Sequence, residues 1–170
     1  MSQLISKQET FPESHLGILY CISYNVETAK IDFKIKEEYQ PYLPSIKQSM
    51  KYFMLNEAIS HFSSLPPNWD SYNADVISKT AIKISQQVLQ YLNNEDYIFD
   101  EFEINVFPMR DGGIQYEFDK KQVTAELEIN PSGEMNFIHY DQQGNILKAM
   151  NLPINELSEL SSLLEESDYA

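Results

Sequence analysis

A single cysteine, Cys21, sits in an apolar run, which excludes an intramolecular disulfide, fits a reducing compartment and reads as a core position. No apolar run approaches the length that crosses a bilayer, and residues 1–13 are polar rather than signal-like, so the expectation is a cytoplasmic protein. Histidine is scarce, and none of the three serves nucleophilic catalysis: His15 lies near the polar start, His61 on a helix, His139 beside Phe137 on the inward side of a strand. There is no phosphate loop, no internal repeat and no low-complexity tract. No carboxylate spacing resembles a calcium loop, and no histidine clusters with the cysteine, so neither a metal nor a cofactor is expected.

Basic residues are missing from one half only. Residues 1–93 hold 9 acidic and 8 basic side chains, whereas residues 94–170 hold 17 acidic and 4 basic ones, so almost all of the net charge of -14 belongs to the second half. Such a field repels nucleic acid and anionic lipid and attracts basic protein surfaces or divalent cations.

At 170 residues and 42% hydrophobic content, the chain suits a single α+β domain over residues 15–170, preceded by a mobile tail over residues 1–14. The run LGILYCISY and the alternation of Ile31, Phe33 and Ile35 with Asp32, Lys34 and Lys36 predict an N-terminal β-hairpin with a basic second strand. Helical spacing of Ile46, Met50, Phe53, Met54, Ala58, Ile59 and Phe62 predicts a helix over 45–63 with that stripe in the core. Ser78 caps a second helix ending near Asn93-Asn94, and the two pack together. After an acidic connector over 95–100, period-two patterning predicts an antiparallel meander: Phe102 to Val106, Ile114 to Phe118, Val123 to Ile129, Met135 to His139 and Ile146 to Met150. Gly133 and Gly144 fit the positive-φ ends of hairpin loops, and Pro153 opens a C-terminal helix with Leu157, Leu160, Leu163 and Leu164 on one face. The fold class is therefore a two-helix layer on an antiparallel meander, with an N-terminal hairpin and a C-terminal helix.

Between the helices lies Leu65-Pro66-Pro67-Asn68-Trp69-Asp70-Ser71-Tyr72-Asn73-Ala74, with the only tryptophan. Two prolines stop a helix, Asn, Asp and Ser make local turn bonds, and the two aromatics need apolar surface. Trp69 is expected to plug the core, so that Trp69→Ala costs on the order of 3 kcal/mol, while Asn68 or Asp70 caps the loop backbone. Asp111-Gly112-Gly113 at the mouth of a strand reads as a tight turn with close backbone packing. Together, the NWD loop and Gly112-Gly113-Ile114-Gln115-Tyr116-Glu117 resemble a largely uncharacterised family of small bacterial proteins that carry an NWDxYxA loop and a GGIQxE strand. The resemblance covers roughly residues 55–165. Ser71 and Asn73 stand where that pattern commonly has glycine, and Phe118 where it commonly has tryptophan, which implies a stiffer loop in this member. It implies the fold and no activity.

Alternation places Glu101, Glu103, Gln115, Glu117, Thr124, Glu126 and Glu128 together on the outward side of the meander. Like charges across strands cost roughly 0.2 to 1 kcal/mol per pair, so folding alone does not favour that face. It serves solubility or awaits a counter-charge: the lysine strand of the same chain, a metal, or a basic partner. The reading is a non-catalytic interaction protein of a bacterium or its mobile elements, docking through Glu101, Glu103, Glu117, Glu126 and Glu128 on a larger basic protein. A nuclease or another nucleic-acid-handling or defence effector is such a partner, including a CRISPR effector that the protein serves as accessory subunit or blocks as inhibitor. An antitoxin or immunity protein belongs to the same class. The rival reading is an enzyme or small-molecule binder that uses Trp69, Asp70, Tyr72, Gln115 and Glu117. Outward apolar residues on the late strands, Ile138, Tyr140, Ile146 and Met150, call for a cover, either the N-terminal hairpin or a second copy in a homodimer.

Overall fold

The computed structural model describes residues 20–25, 30–35, 43–95, 97–120 and 123–166, with side chains from Gln48 onward except Val123. The chain forms two compact units, Met1–Ile46 and Lys47–Ala170. In the first, strands β1 (Tyr20–Asn25) and β2 (Lys30–Ile35) pair antiparallel. The expected tail, the turn of the expected hairpin, Lys36 and the side chains of Cys21, Lys30 and Lys34 lie outside the described residues.

The second unit follows the α+β plan. Helix α1 (Leu43–Phe62), which belongs to this unit from Lys47 on, leads through the Trp69 loop to α2 (Lys79–Asn94) and a single turn, α3 (Ile98–Glu101). Five strands follow: β3 (Glu103–Pro108), β4 (Ile114–Lys120), β5 (Val123–Ile129), β6 (Met135–Tyr140) and β7 (Ile146–Asn151). They form one antiparallel meander in chain order, so β3 and β7 are its edges. A 3-10 turn at Ile154–Glu156 and helix α4 (Glu159–Glu166) close the unit. No helix among the described residues is long and apolar enough to cross a membrane.

The sheet has one wet and one dry face because its side chains alternate. Ile104, Ile114, Tyr116, Phe118, Ala125, Leu127, Ile129, Met135 and Phe137 are buried against Ala81, Val88, Leu89 and Leu92 of α2, Ile59 and Phe62 of α1, and Leu160, Leu163 and Leu164 of α4. Ser78 caps α2 as expected: its Oγ accepts from Thr80 N at 3.1 Å, and also donates to Pro131 O at 2.7 Å, fastening the helix start to the β5–β6 turn. Inside the core, Tyr116 Oη donates to Ser85 O at 2.7 Å and accepts from Ser85 Oγ at 2.9 Å. One polar cluster thereby ties α2 to β4.

Four expectations are corrected. Phe53 and Met54 are 55% and 62% exposed, on the side of α1 turned away from Tyr52, Leu55, Ile59 and Phe62, which pack in the core. The acidic connector is partly helical, with Ile98 and Phe99 buried in the core. The C-terminal helix is broken: Pro153 starts a 3-10 turn, and the α-helix begins only at Glu159. Finally, a bulge at His139/Tyr140 changes the parity of β7, so that Ile146 pairs with Tyr140 but Met150 pairs with Phe137 on the dry face. Met150 packs against the core and is not an outward residue.

Candidate functional site

Two groups of residues singled out in the sequence lie in distinct settings. The first is the wet sheet face. Its rows follow from the register: Asn105, Glu117, Glu126, Ile138 and Ala149 in one, and Phe107, Gln115, Glu128, Asn136 and Asn151 in the next. A third row holds Glu103, Asp119, Thr124 and Tyr140. Glu117 therefore stands directly opposite Glu126, with Glu128 one row along and Asp119 one row back.

Hydrogen bonds hold these carboxylates without neutralising them. Gln115 Nε2 donates to Glu117 Oε1 at 3.2 Å, Tyr140 Oη to Glu126 Oε2 at 2.9 Å, and Thr124 Oγ1 to Asp119 Oδ1 at 2.9 Å. Among the described residues, no cation pairs with Glu117, Glu126 or Glu128; the ion pairs are Asp70–Arg110, Glu101–Lys120 and Glu166–Lys148. Partial burial raises the pKa of Glu117, and the charges of Glu126 and Asp119 add to it. Burial likewise raises Glu128, helped by Glu126 and Asp111. Tyr140 is pushed up to about 12, by burial first and then by its bond to Glu126.

Of the five glutamates predicted for this face, Glu103, Glu117, Glu126 and Glu128 share it, whereas Glu101 does not. It ends α3, and its carboxylate pairs with Lys120 Nζ at 2.8 Å. The helical turn takes Glu101 out of strand alternation. Sequence patterning left out Asp119 and took the outward residues Ile138 and Tyr140 only as surface awaiting a cover; the register places all three beside the glutamates. Their period-two spacing within β4 and β6 was the available signal.

The second group is the Trp69 loop. Asn68 Oδ1 accepts from Asn73 N at 2.7 Å, and Asp70 Oδ1 accepts from Tyr72 N at 2.7 Å and Ala74 N at 3.1 Å, so both side chains cap the loop backbone. Asp70 Oδ2 lies 2.8 Å from Arg110 Nε, and Arg110 also donates to Tyr72 O and stacks its guanidinium 5.7 Å from the Tyr72 ring centroid. Burial opposes the Asp70 charge, but the Tyr72 and Ala74 amides and then Arg110 outweigh it and hold the carboxyl below its ordinary range. Trp69 is half-buried and does not plug the core; its indole N–H donates to Asp75 O at 3.1 Å, closing the same loop. Asn68, Ser71 and Asn73 all have φ between 61° and 66°, the left-handed region that favours glycine. Ser71 and Asn73 are the two positions where the resembling pattern commonly has glycine.

This loop is fastened to the β3–β4 turn. Asp75 N donates to Arg110 O and Ser78 N to Gly112 O, each at 2.8 Å. A Cβ on Gly112 would lie 2.7 Å from Val76 O, and one on Gly113 would lie 2.5 Å from Ile129 O. The two motifs, forty residues apart in sequence, thus meet backbone to backbone at Gly112, where only glycine fits, while Gly113 is pressed against β5. Gln115 and Glu117 are hydrogen-bonded to each other on the sheet face, while Asp70 is engaged by Arg110 and its own loop. Arg110 is the member of this junction that patterning missed, although it is the chain's only arginine and adjoins Asp111-Gly112-Gly113. Tyr72 projects outward, 72% exposed. Among the described residues, no group of three His, Cys, Asp or Glu side chains is placed to hold a metal ion.

Compared with protein-family models, curated proteins and solved structures, the chain matches none of them.

Proposed function

We propose that this is a non-catalytic interaction protein of the bacterial cytoplasm, which docks on a larger, basic protein through the wet face of its meander. The observation that carries this reading is the direct opposition of Glu117 and Glu126, flanked by Asp119 and Glu128, with no paired cation among the described residues. Like charges placed opposite each other destabilise a sheet, so such a face is explained by something outside the fold. Partial desolvation strengthens the argument, since a carboxylate already partly stripped of water loses less solvation when a Lys or Arg reaches it.

A nucleic-acid-handling protein is the most basic partner a bacterial cell offers. The protein therefore serves a nuclease or other defence effector, CRISPR effectors included, as an accessory subunit or as an inhibitor that occupies a nucleic-acid groove. A toxin with a basic surface, for which this chain is the antitoxin or immunity protein, fits the same chemistry. Direct nucleic-acid binding does not, given the charge of -14.

The test is capture from a lysate of the source bacterium by the full chain and by Glu117→Gln/Glu126→Gln/Glu128→Gln, each washed at increasing salt and analysed by mass spectrometry. The expected result is a basic protein held by the parent chain, released by salt and absent from the variant. Equal recovery by both chains, with the same salt dependence, rejects the reading.

The rival site at Trp69, Asp70, Tyr72 and Gln115 draws support from the exposed Tyr72 ring beside Arg110. Against it, both Asp70 oxygens are committed within the chain.

A further inference from the structure

We propose that two copies of this chain associate through strand β7, antiparallel about Ala149, joining their meanders into one continuous sheet. The first ground is the edge itself. β3 carries Glu103 at its start and Pro108 at its end, devices that discourage strand addition. β7 has neither; its single charged residue is Lys148, whose Nζ lies 2.8 Å from Glu166 Oε2. Ile146 and Leu147 stand 61% and 51% exposed beside it.

The second ground is the direction of the backbone groups. Leu152 N donates to Met135 O at 2.9 Å, so the alternation of an antiparallel ladder turns Met150 and Lys148 toward β6, and turns Ala149 and Asn151 outward. β7 is the edge of the sheet, and among the described residues no backbone hydrogen bond from outside the ladder reaches Ala149 or Asn151. Antiparallel pairing centred on Ala149 lets each Ala149 exchange two hydrogen bonds with the other, places Lys148 opposite Met150, and Leu147 opposite Asn151. The smallest side chain of the strand falls on the two-fold axis, so the two copies meet there without a clash.

The third ground selects the occupant. Residues 94–170 hold 17 acidic side chains, yet none falls between Asp141 and Glu156. Chains of charge -14 repel one another, and this stretch is the part of the acidic half where the meeting strands themselves carry no carboxylate; the Glu166 carboxylate beside it is paired with Lys148. A basic partner is drawn instead to the glutamate rows. Pairing at β7 leaves those rows uncovered and puts two acidic faces on one side of the joined sheet. The inference does not depend on the proposed function.

The experiment is sedimentation equilibrium of the full chain over a concentration series, with Ala149→Pro and Ala149→Lys alongside and hydrogen exchange on all three. Proline removes the outward N–H without touching the β6–β7 ladder, and lysine sets two like charges against each other on the axis. The parent chain is expected to reach twice its 19.8 kDa mass as concentration rises, while both variants keep the mass of a single chain and an unchanged circular dichroism spectrum. Protection of the Ala149 and Asn151 amides should rise with concentration in the parent chain. Added salt should favour the dimer, because it screens repulsion, whereas it releases a basic partner. A parent chain that stays single at all concentrations overturns the proposal. So does a dimer that survives both substitutions, or amide protection independent of concentration, which would assign the edge to a segment of the same chain.

Discussion

Glu117 and Glu126 face each other across the β4–β5 ladder, and neither has a cation beside it among the described residues. Their repulsion works against the fold, with the Gln115 amide and the Tyr140 hydroxyl as the only side-chain donors bonded to them there. Replacing Glu117, Glu126 and Glu128 by Gln should therefore leave the domain as stable or more so, by about 0.2–1 kcal/mol for each opposed pair relieved. Binding to a basic partner should weaken in the same variant and lose its salt dependence. Urea unfolding and titration at two salt concentrations measure the two effects, and a variant both less stable and equally tight in binding would contradict the assignment.

The same sheet face gives a pH signature. Glu117 and Glu128 are held above the ordinary glutamate value of 4.5, so the folded protein binds their protons more tightly than the unfolded chain does. Their contribution to stability is full below that value and is lost as pH rises through the raised values. The Gln variant's advantage should thus be largest at neutral pH and shrink on acidification. Asp70 and Asp141, whose lowered pKa values stabilise the fold above 3.8 and cease to do so as pH falls through them, act alike in both proteins. So does buried His139, whose lowered pKa makes stability fall as pH drops below 6.5. Thermal midpoints of the two proteins from neutral pH downward provide the comparison; a constant gap would remove the electrostatic explanation.

Ser71 has φ 65°, a conformation that costs an ordinary residue roughly 1–2 kcal/mol relative to glycine. Ser71→Gly should therefore be more stable than Ser71→Ala by about 1 kcal/mol, the reverse of the order found in an ordinary helix or strand. Chemical denaturation of the two variants settles the order.

Tyr116 and Ser85 are both fully buried; the Ser85 hydroxyl donates to the Tyr116 hydroxyl, which in turn donates to the Ser85 backbone carbonyl. Burial, the largest effect, drives the Tyr116 pKa far upward, so the phenol stays a neutral donor. Tyr116→Phe strands the Ser85 hydroxyl and should cost about 1–3 kcal/mol. Ser85→Ala on that background removes the stranded group, so the double variant should lose less than the two single losses added together. Strict additivity would mean that the hydroxyls are not coupled.

Much of this protein was legible in its residues. Period-two runs located five strands and their short turns located a meander, because hydrophobic alternation and turn chemistry act over a few residues. Ser78 was recognisable as a cap for the same reason, and so were the turn roles of Asn68, Asp70 and the glycine pair. Register did the rest for four of the five expected glutamates. Glu101 left the face because the 98–101 segment is helical, and Met150 changed sides because a bulge at His139/Tyr140 shifts alternation by one residue.

What the amino-acid sequence determined by itself was the element types, the sheet topology and the sign of the charge on the second half, all set by neighbours in the chain. Tertiary structure alone decided three further things. It turned Phe53 and Met54 outward, because the core takes the face of α1 that carries Tyr52, Leu55, Ile59 and Phe62. It left Trp69 half-buried, its indole bonded to Asp75, so that truncating it should cost less than the ~3 kcal/mol of a core site. It also joined Asp70 to Arg110 and Ser78 to Gly112, contacts made by segments more than thirty residues apart. Local patterns cannot encode such meetings, since they depend on which surfaces remain free once the sheet and helices have packed.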